Sequence, residues 1–166
     1  MGKNFLLPFK QYTCTKMRWL QFRINHFILT TNSFLYKIGK IQSPFCTFCS
    51  RERESIIHLM WECGEVQKFL HDFHLFCLDN GKNIDFTFKH FIFGHIDDCS
   101  AQNLIMMSLK LYIYRCKCLY KNLNVRRFTI ELKHLYEENK YIATKEKKVD
   151  EFNTKWISWN FLGQLQ

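Results

Sequence analysis

A chain of 166 residues with formal charge +9, 17 Phe, 6 Gly and 2 Pro is about one domain of sequence with ample core material. That composition excludes a disordered segment, and no apolar run approaches the ~18 residues that a bilayer-spanning helix needs. Charge falls in blocks, with +7 over residues 1–40, −4 over 41–109, +7 over 110–148 and −1 over 149–166, so two basic ends flank a mildly acidic middle suited to holding phosphates.

The N-terminal patch Phe5-Leu6-Leu7 is broken by Pro8 and Lys10 and is too short for a secretory signal. A soluble, intracellular protein, nuclear or cytoplasmic, is expected, with no membrane partner and no small-molecule substrate. Met17, Leu20, Ile24, Phe27 and Ile28 recur at threes and fours, predicting an amphipathic helix over 15–29 with Arg18 and Arg23 on its flanks. Asn32 or Ser33 can cap a short helix carrying Phe34, Leu35 and Ile38 and ended by Gly39. Ser43-Pro44 forces extended backbone before Cys46. Residues 55–61 read as helical, and 64–78 more so, with Val66, Phe69, Leu70, Phe73 and Cys77 on one face. Asp79-Asn80-Gly81 is a turn, and Ile84, Phe86 and Phe88 alternate as a brief extended stretch would.

Ser100 can cap a long helix to about Asn122, apolar almost all round and so the expected central helix. Its remaining stripe is basic: Lys110, Lys117 and Lys121. A further helix is predicted over 125–144, with Phe128, Leu132, Leu135 and Ile142 inward and Arg126 and Arg127 in its first turn, where the positive end of the helix dipole disfavours cations unless an anion joins them.

The strongest signal is Cys46-x2-Cys49-x8-His58-x4-Cys63. Two cysteines two residues apart can turn both thiolates onto one ion. His58 and Cys63 lie about 140° apart on an ideal helix, so the helix is expected to end after His58 and the chain to fold back, eased by Gly64. Three thiolates and an imidazole close a tetrahedral Zn2+ shell, leaving no position for water, which makes the site structural rather than hydrolytic. The other cysteines, 14, 77, 99, 116 and 118, form no obvious framework and read as mostly buried free thiols in a reducing compartment. Cys116 and Cys118 point apart on a helix and cannot chelate together. His71 and His74 share a face but lack a third ligand. Asp97-Asp98 reads as a polar turn, since a two-metal polymerase centre needs a further carboxylate and a large fold.

With these ligands in view, the chain resembles the carboxy-terminal zinc-binding region of LINE-type (non-LTR) retrotransposon reverse transcriptases. The likeness rests on blocks in order over about residues 15–160: Trp19-Leu20-Gln21-Phe22-Arg23-Ile24, Phe34-Leu35-Tyr36-Lys37-Ile38-Gly39-Lys40, and Ser43-Pro44-Phe45-Cys46-Thr47-Phe48-Cys49. Glu54-Ser55, His58-Leu59-Met60-Trp61-Glu62-Cys63, Ile92-Phe93-Gly94, the stretch from Tyr112 to Cys118, and Trp156 follow. The resemblance implies a region that grips template RNA or target DNA beside a separate polymerase domain, with Cys46, Cys49, His58 and Cys63 as ligands. The chain departs from the family in lacking the polymerase fingers and palm and an endonuclease carboxylate set, so a fragment or stand-alone relic without catalysis is expected.

The resulting expectation is a mainly α fold: a small zinc-stabilised CCHC segment (44–64) within a helical region, 1–98, followed by a basic helical extension, 99–166. Its function is non-catalytic binding of RNA or DNA. Phosphate contacts are expected from Arg18, Arg23, Lys37, Lys40, Arg51, Arg53, Arg115, Lys117, Arg126 and Arg127, and Phe45, Phe48 and Trp61 are candidates to stack on bases. The alternatives are a zinc-stabilised helical protein-interaction module, for example one docking on a polymerase domain, or an inactive retrotransposon relic.

Overall fold

The apolar periodicity is realised as a run of helices: α1 (Thr15–Asn25), α2 (Asn32–Lys37), α3 (Gly64–Asp79), α4 (Phe88–Phe93), α5 (Ala101–Cys118), α6 (Val125–Lys145) and α7 (Val149–Trp156). A π-turn, His58–Glu62, leads into α3, and a 3-10 segment, Ile157–Gln164, ends the chain. The computed structural model describes residues 14–84, 86–93 and 101–164; the apolar patch at 5–7, Cys99, the Asp97-Asp98 turn and the Ser100 cap lie outside the described residues. The mainly α expectation holds. Among the described residues there is no strand, and Phe45 and Arg53 form an isolated antiparallel bridge. No described helix is long and apolar enough to cross a membrane.

α5 is the central helix, buried from Ala101 to Ile113 on most of its circumference. The α3 face read from the sequence is the face that packs: Val66, Phe69, Leu70, Phe73 and Cys77 are all buried. Phe69 stacks on Tyr112 of α5 at 5.4 Å between ring centroids, and Phe128 of α6 meets Phe73 edge-on at 5.0 Å. Full burial of each such ring contributes ~1.5–3 kcal/mol, and edge-to-face pairing adds to it. Farther along, Tyr136 of α6 packs against Phe152 and Trp156 of α7, both at 5.3 Å. One apolar cluster runs from Met17 to Leu162, so the regions before and after residue 99 share a core.

Several expectations are corrected. α1 ends at Asn25 rather than near 29, because Phe27 adopts φ 55° and the chain closes in a Schellman motif: Ile28 N–H donates to Arg23 O and Phe27 N–H to Ile24 O. Phe27 and Ile28 therefore face solvent, and Leu29 takes the inward place. α2 is capped by Thr31, whose side chain accepts the Phe34 N–H, one residue before the expected cap. α5 stops at Cys118, where Tyr120 at φ 52° repeats the αL ending, leaving Leu119 exposed. Ile142 lies on the outer side of α6, where Tyr136 supplies the inward contact instead. The stretch carrying Ile84, Phe86 and Phe88 forms no strand among its described residues, and Phe88 opens α4. Cys118 is exposed, unlike its neighbour Cys116.

The basic stripe of α5 is the largest correction. Lys121 is exposed, but Lys110 and Lys117 are buried. Lys110 donates to Gln21 Oε1 and, at 3.3 Å, to Ile92 O, while its ammonium lies 5.9 Å from the Phe91 ring centroid. Burial without a carboxylate partner among the described residues pulls its pKa down to about 7. The unfolded chain therefore holds this proton up to its ordinary value while the fold releases it near 7. Stability is expected to climb between pH 7 and 10 and to stay flat, for this group, below 7. Urea melts at pH 7 and pH 9.5 check this: the wild type should gain ~3 kcal/mol relative to Lys110→Met, whose own curve lacks that term.

Candidate metal centre

Pro44 sets an extended entry, and the chain then doubles back tightly: Cys46 N–H donates to Glu52 O (2.8 Å), Ser50 N–H to Cys46 O (2.9 Å) and Glu54 N–H to Pro44 O (2.9 Å). Ser50 accepts φ 55° to make the turn. The Phe48 N–H lies 3.4 Å from Cys46 Sγ, the arrangement in which a knuckle's amides support a thiolate. Ser55 then starts the next turn, its hydroxyl accepting the His58 N–H at 2.9 Å.

The backbone resolves the mismatch between His58 and Cys63 differently from the fold-back expected. Instead of ending, the helix widens into the π-turn, with Cys63 N–H donating to His58 O across five residues at 2.9 Å. In that wide turn, residues five apart lie one above the other, so His58 and Cys63 share a face. Cys63 then leaves in extended conformation (ψ 125°) and stands at the start of α3.

The ligand atoms of Cys46, Cys49, His58 and Cys63 all lie within 4.8 Å of one another, close enough to hold one metal ion. Cys46 Sγ and Cys63 Sγ are 3.8 Å apart, and Cys49 Sγ is 3.4 Å from His58 Nε2. Cys46, His58 and Cys63 are buried, and Cys49 is half-buried. Without a metal, the paired sulfurs share a proton. The hydrogen bond from Cys46 favours the Cys63 thiolate, with help from the Val66 and Glu65 amides at the start of α3 and against its burial, while the same bond and burial push the Cys46 thiol up.

Behind the ligands sits a group that sequence reasoning left without a role. Glu54, 0% exposed, accepts the Asn32 N–H (2.8 Å) through Oε1 and the Thr47 N–H and hydroxyl (both 2.9 Å) through Oε2. The Lys117 ammonium lies 3.5 Å from the same carboxylate and donates to Thr30 O at 3.3 Å. Asn32 completes the clasp, its side-chain amide donating to Phe45 O at 2.7 Å. One carboxylate thus ties the knuckle to α2 and to the central helix. A helical-wheel reading of α5 puts Lys117 outward, because it does not show which face has a buried carboxylate opposite.

The remaining expected contacts fall into three groups. Arg23, Lys37, Lys40, Arg51, Arg53, Arg126 and Arg127 are exposed, with no carboxylate partner among the described residues. Arg115 is exposed but paired with Glu131, and Arg18 is half-buried. Lys117 is enclosed with Glu54 and cannot reach a phosphate. Phe45 is exposed, whereas Phe48 packs against the core and Trp61 lies against Phe91 at 5.7 Å. His71 is exposed and His74 half-buried, and they belong to no cluster of three ligands among the described residues. No protein-family model matches the chain, and no curated protein matches it significantly.

Proposed function

We propose that the chain is a zinc-pinned helical module that binds RNA or DNA through its exposed cations and does no chemistry itself. The observation that carries the reading is the convergence of three thiols and one imidazole on a single point beside a surface bearing Arg51 and Arg53. With Zn–S bonds near 2.3 Å and a Zn–N bond near 2.0 Å, a tetrahedron has S–S edges of about 3.8 Å and S–N edges of about 3.5 Å. The separations of 3.8 Å and 3.4 Å match those edges, and soft thiolate donors favour Zn2+ over hard divalent ions. A full protein shell leaves no coordination position for water, so the ion's role is to hold the fold. The blocks shared with the zinc-binding region of LINE-type reverse transcriptases support the same assignment, to template RNA or target DNA.

Fluorescence anisotropy with a labelled RNA and a labelled DNA tests it. Affinity is expected to fall steeply from 50 to 200 mM salt, and Arg126→Gln with Arg127→Gln should reduce the log–log slope by about 2. A flat salt response overturns the reading. Exposed Phe27, Phe34 and Ile38 favour a second reading, apolar docking on a protein, whose binding would survive added polyanion and salt.

A further inference from the structure

α1 presents three stripes. Met17, Leu20, Gln21 and Ile24 face the core. Lys16 and Arg23, seven apart, lie along one exposed edge. Beside them runs an aromatic ladder: Trp19, 53% exposed, meets Phe22 edge-on at 5.8 Å, and Phe22 meets His26 at 4.2 Å. An amphipathic helix in a monomer has no packing reason to set a tryptophan outward in such a ladder.

Where α1 leans on α5, these stripes border an open cleft of about 590 Å³. Trp19, Leu20, Leu111 and Tyr114 give it an apolar floor, and Lys16 and Arg23 stand over it without a carboxylate partner among the described residues. Tyr114 is fixed in place, its hydroxyl donating to Thr30 O at 3.4 Å. Arg115 also lines the cleft but spends its charge on Glu131. Cations over an apolar, aromatic floor fit a ligand with an anionic backbone and flat faces to stack. Duplexes hide those faces between base pairs; single strands expose them.

We infer that the α1–α5 cleft is a stacking platform for single-stranded nucleic acid, with Trp19 taking a base and Lys16 and Arg23 taking the flanking phosphates. The inference rests on the nucleic-acid reading above and narrows it to a strand type and a place.

The full chain, purified with zinc, is titrated with a 20-nucleotide oligo(U), an oligo(dT) and a matched duplex, following intrinsic tryptophan emission and, separately, anisotropy of the labelled strand. Trp156 and Trp159 are buried, so quenching by a bound strand reports chiefly on Trp19. Single strands should quench emission and the duplex should not. Trp19→Phe should keep the affinity and lose the quench, and Trp19→Ala should weaken single-strand binding by about tenfold with an unchanged thermal melt. Wild-type affinity in Trp19→Ala, or tighter binding of duplex than of single strand, overturns the platform while leaving nucleic-acid binding standing. No binding of any of the three probes overturns both.

Discussion

Removing the metal is expected to unfold residues 44–64 and to free the helices that rest on them. In this stretch the backbone is held by a few hydrogen bonds around a tight turn, with Ser50 in a left-handed conformation that opposes it. The sulfurs of Cys46 and Cys63, buried 3.8 Å apart, gain most of their stabilisation from a shared cation. Closed sites of this kind contribute on the order of 10 kcal/mol of apparent binding energy at neutral pH, more than a small domain's whole margin of stability. Cys49→Ser removes one ligand without disturbing the buried pair. Native mass spectrometry should show one zinc per wild-type chain and a largely empty variant, and limited proteolysis should cut the variant within 44–64 first. Unchanged protease resistance and helical content in Cys49→Ser would rule out a structural role for the ion. Circular dichroism should still record helix in the variant, because the aromatic contacts joining α6 to α7 lie outside the centre.

The second large effect is expected at Glu54. Glu54→Ala leaves the Lys117 ammonium buried without its counter-charge and strips the Asn32 and Thr47 amides of their acceptor. Removing one partner of a buried pair costs about 3–5 kcal/mol, far more than the pair's net contribution, because the survivor keeps its desolvation penalty. Urea denaturation of the metal-loaded protein should show that loss. The double variant Glu54→Ala with Lys117→Met should recover part of it, since no orphaned charge remains. A loss below ~1 kcal/mol in the single variant would mean that the clasp among α2, the knuckle and α5 carries no weight.

The metal ligands were legible in the sequence because their chemistry is local and their spacing unusual. The α3 face was legible too, for a related reason: five apolar residues repeat at helical period with polar residues between them. The misreadings arise where tertiary context decides. Lys110 and Lys117 look like a solvated stripe on α5 until Gln21 and Glu54, 89 and 63 residues away in sequence, are brought against them. Phe27 and Ile28 continue the pattern of α1, and nothing near them is a glycine to announce that the helix stops; the αL ending is imposed on an ordinary Phe. The role of Trp19 was missed because an aromatic at helical spacing reads as core, and its outward direction appears only once α1 is docked on α5.

The hydrogen bond from Cys63 to the carbonyl five residues back stores one more residue in the turn than an α-helix would. Deleting any single position between 59 and 62 would restore ordinary pitch and swing everything downstream by about 100° around the axis. The face of α3 that meets Tyr112 and Phe128 would then look elsewhere. Ligand geometry and the aim of the following helix are thus set together by a count of codons, so this stretch should tolerate exchanged side chains far better than a lost or gained triplet.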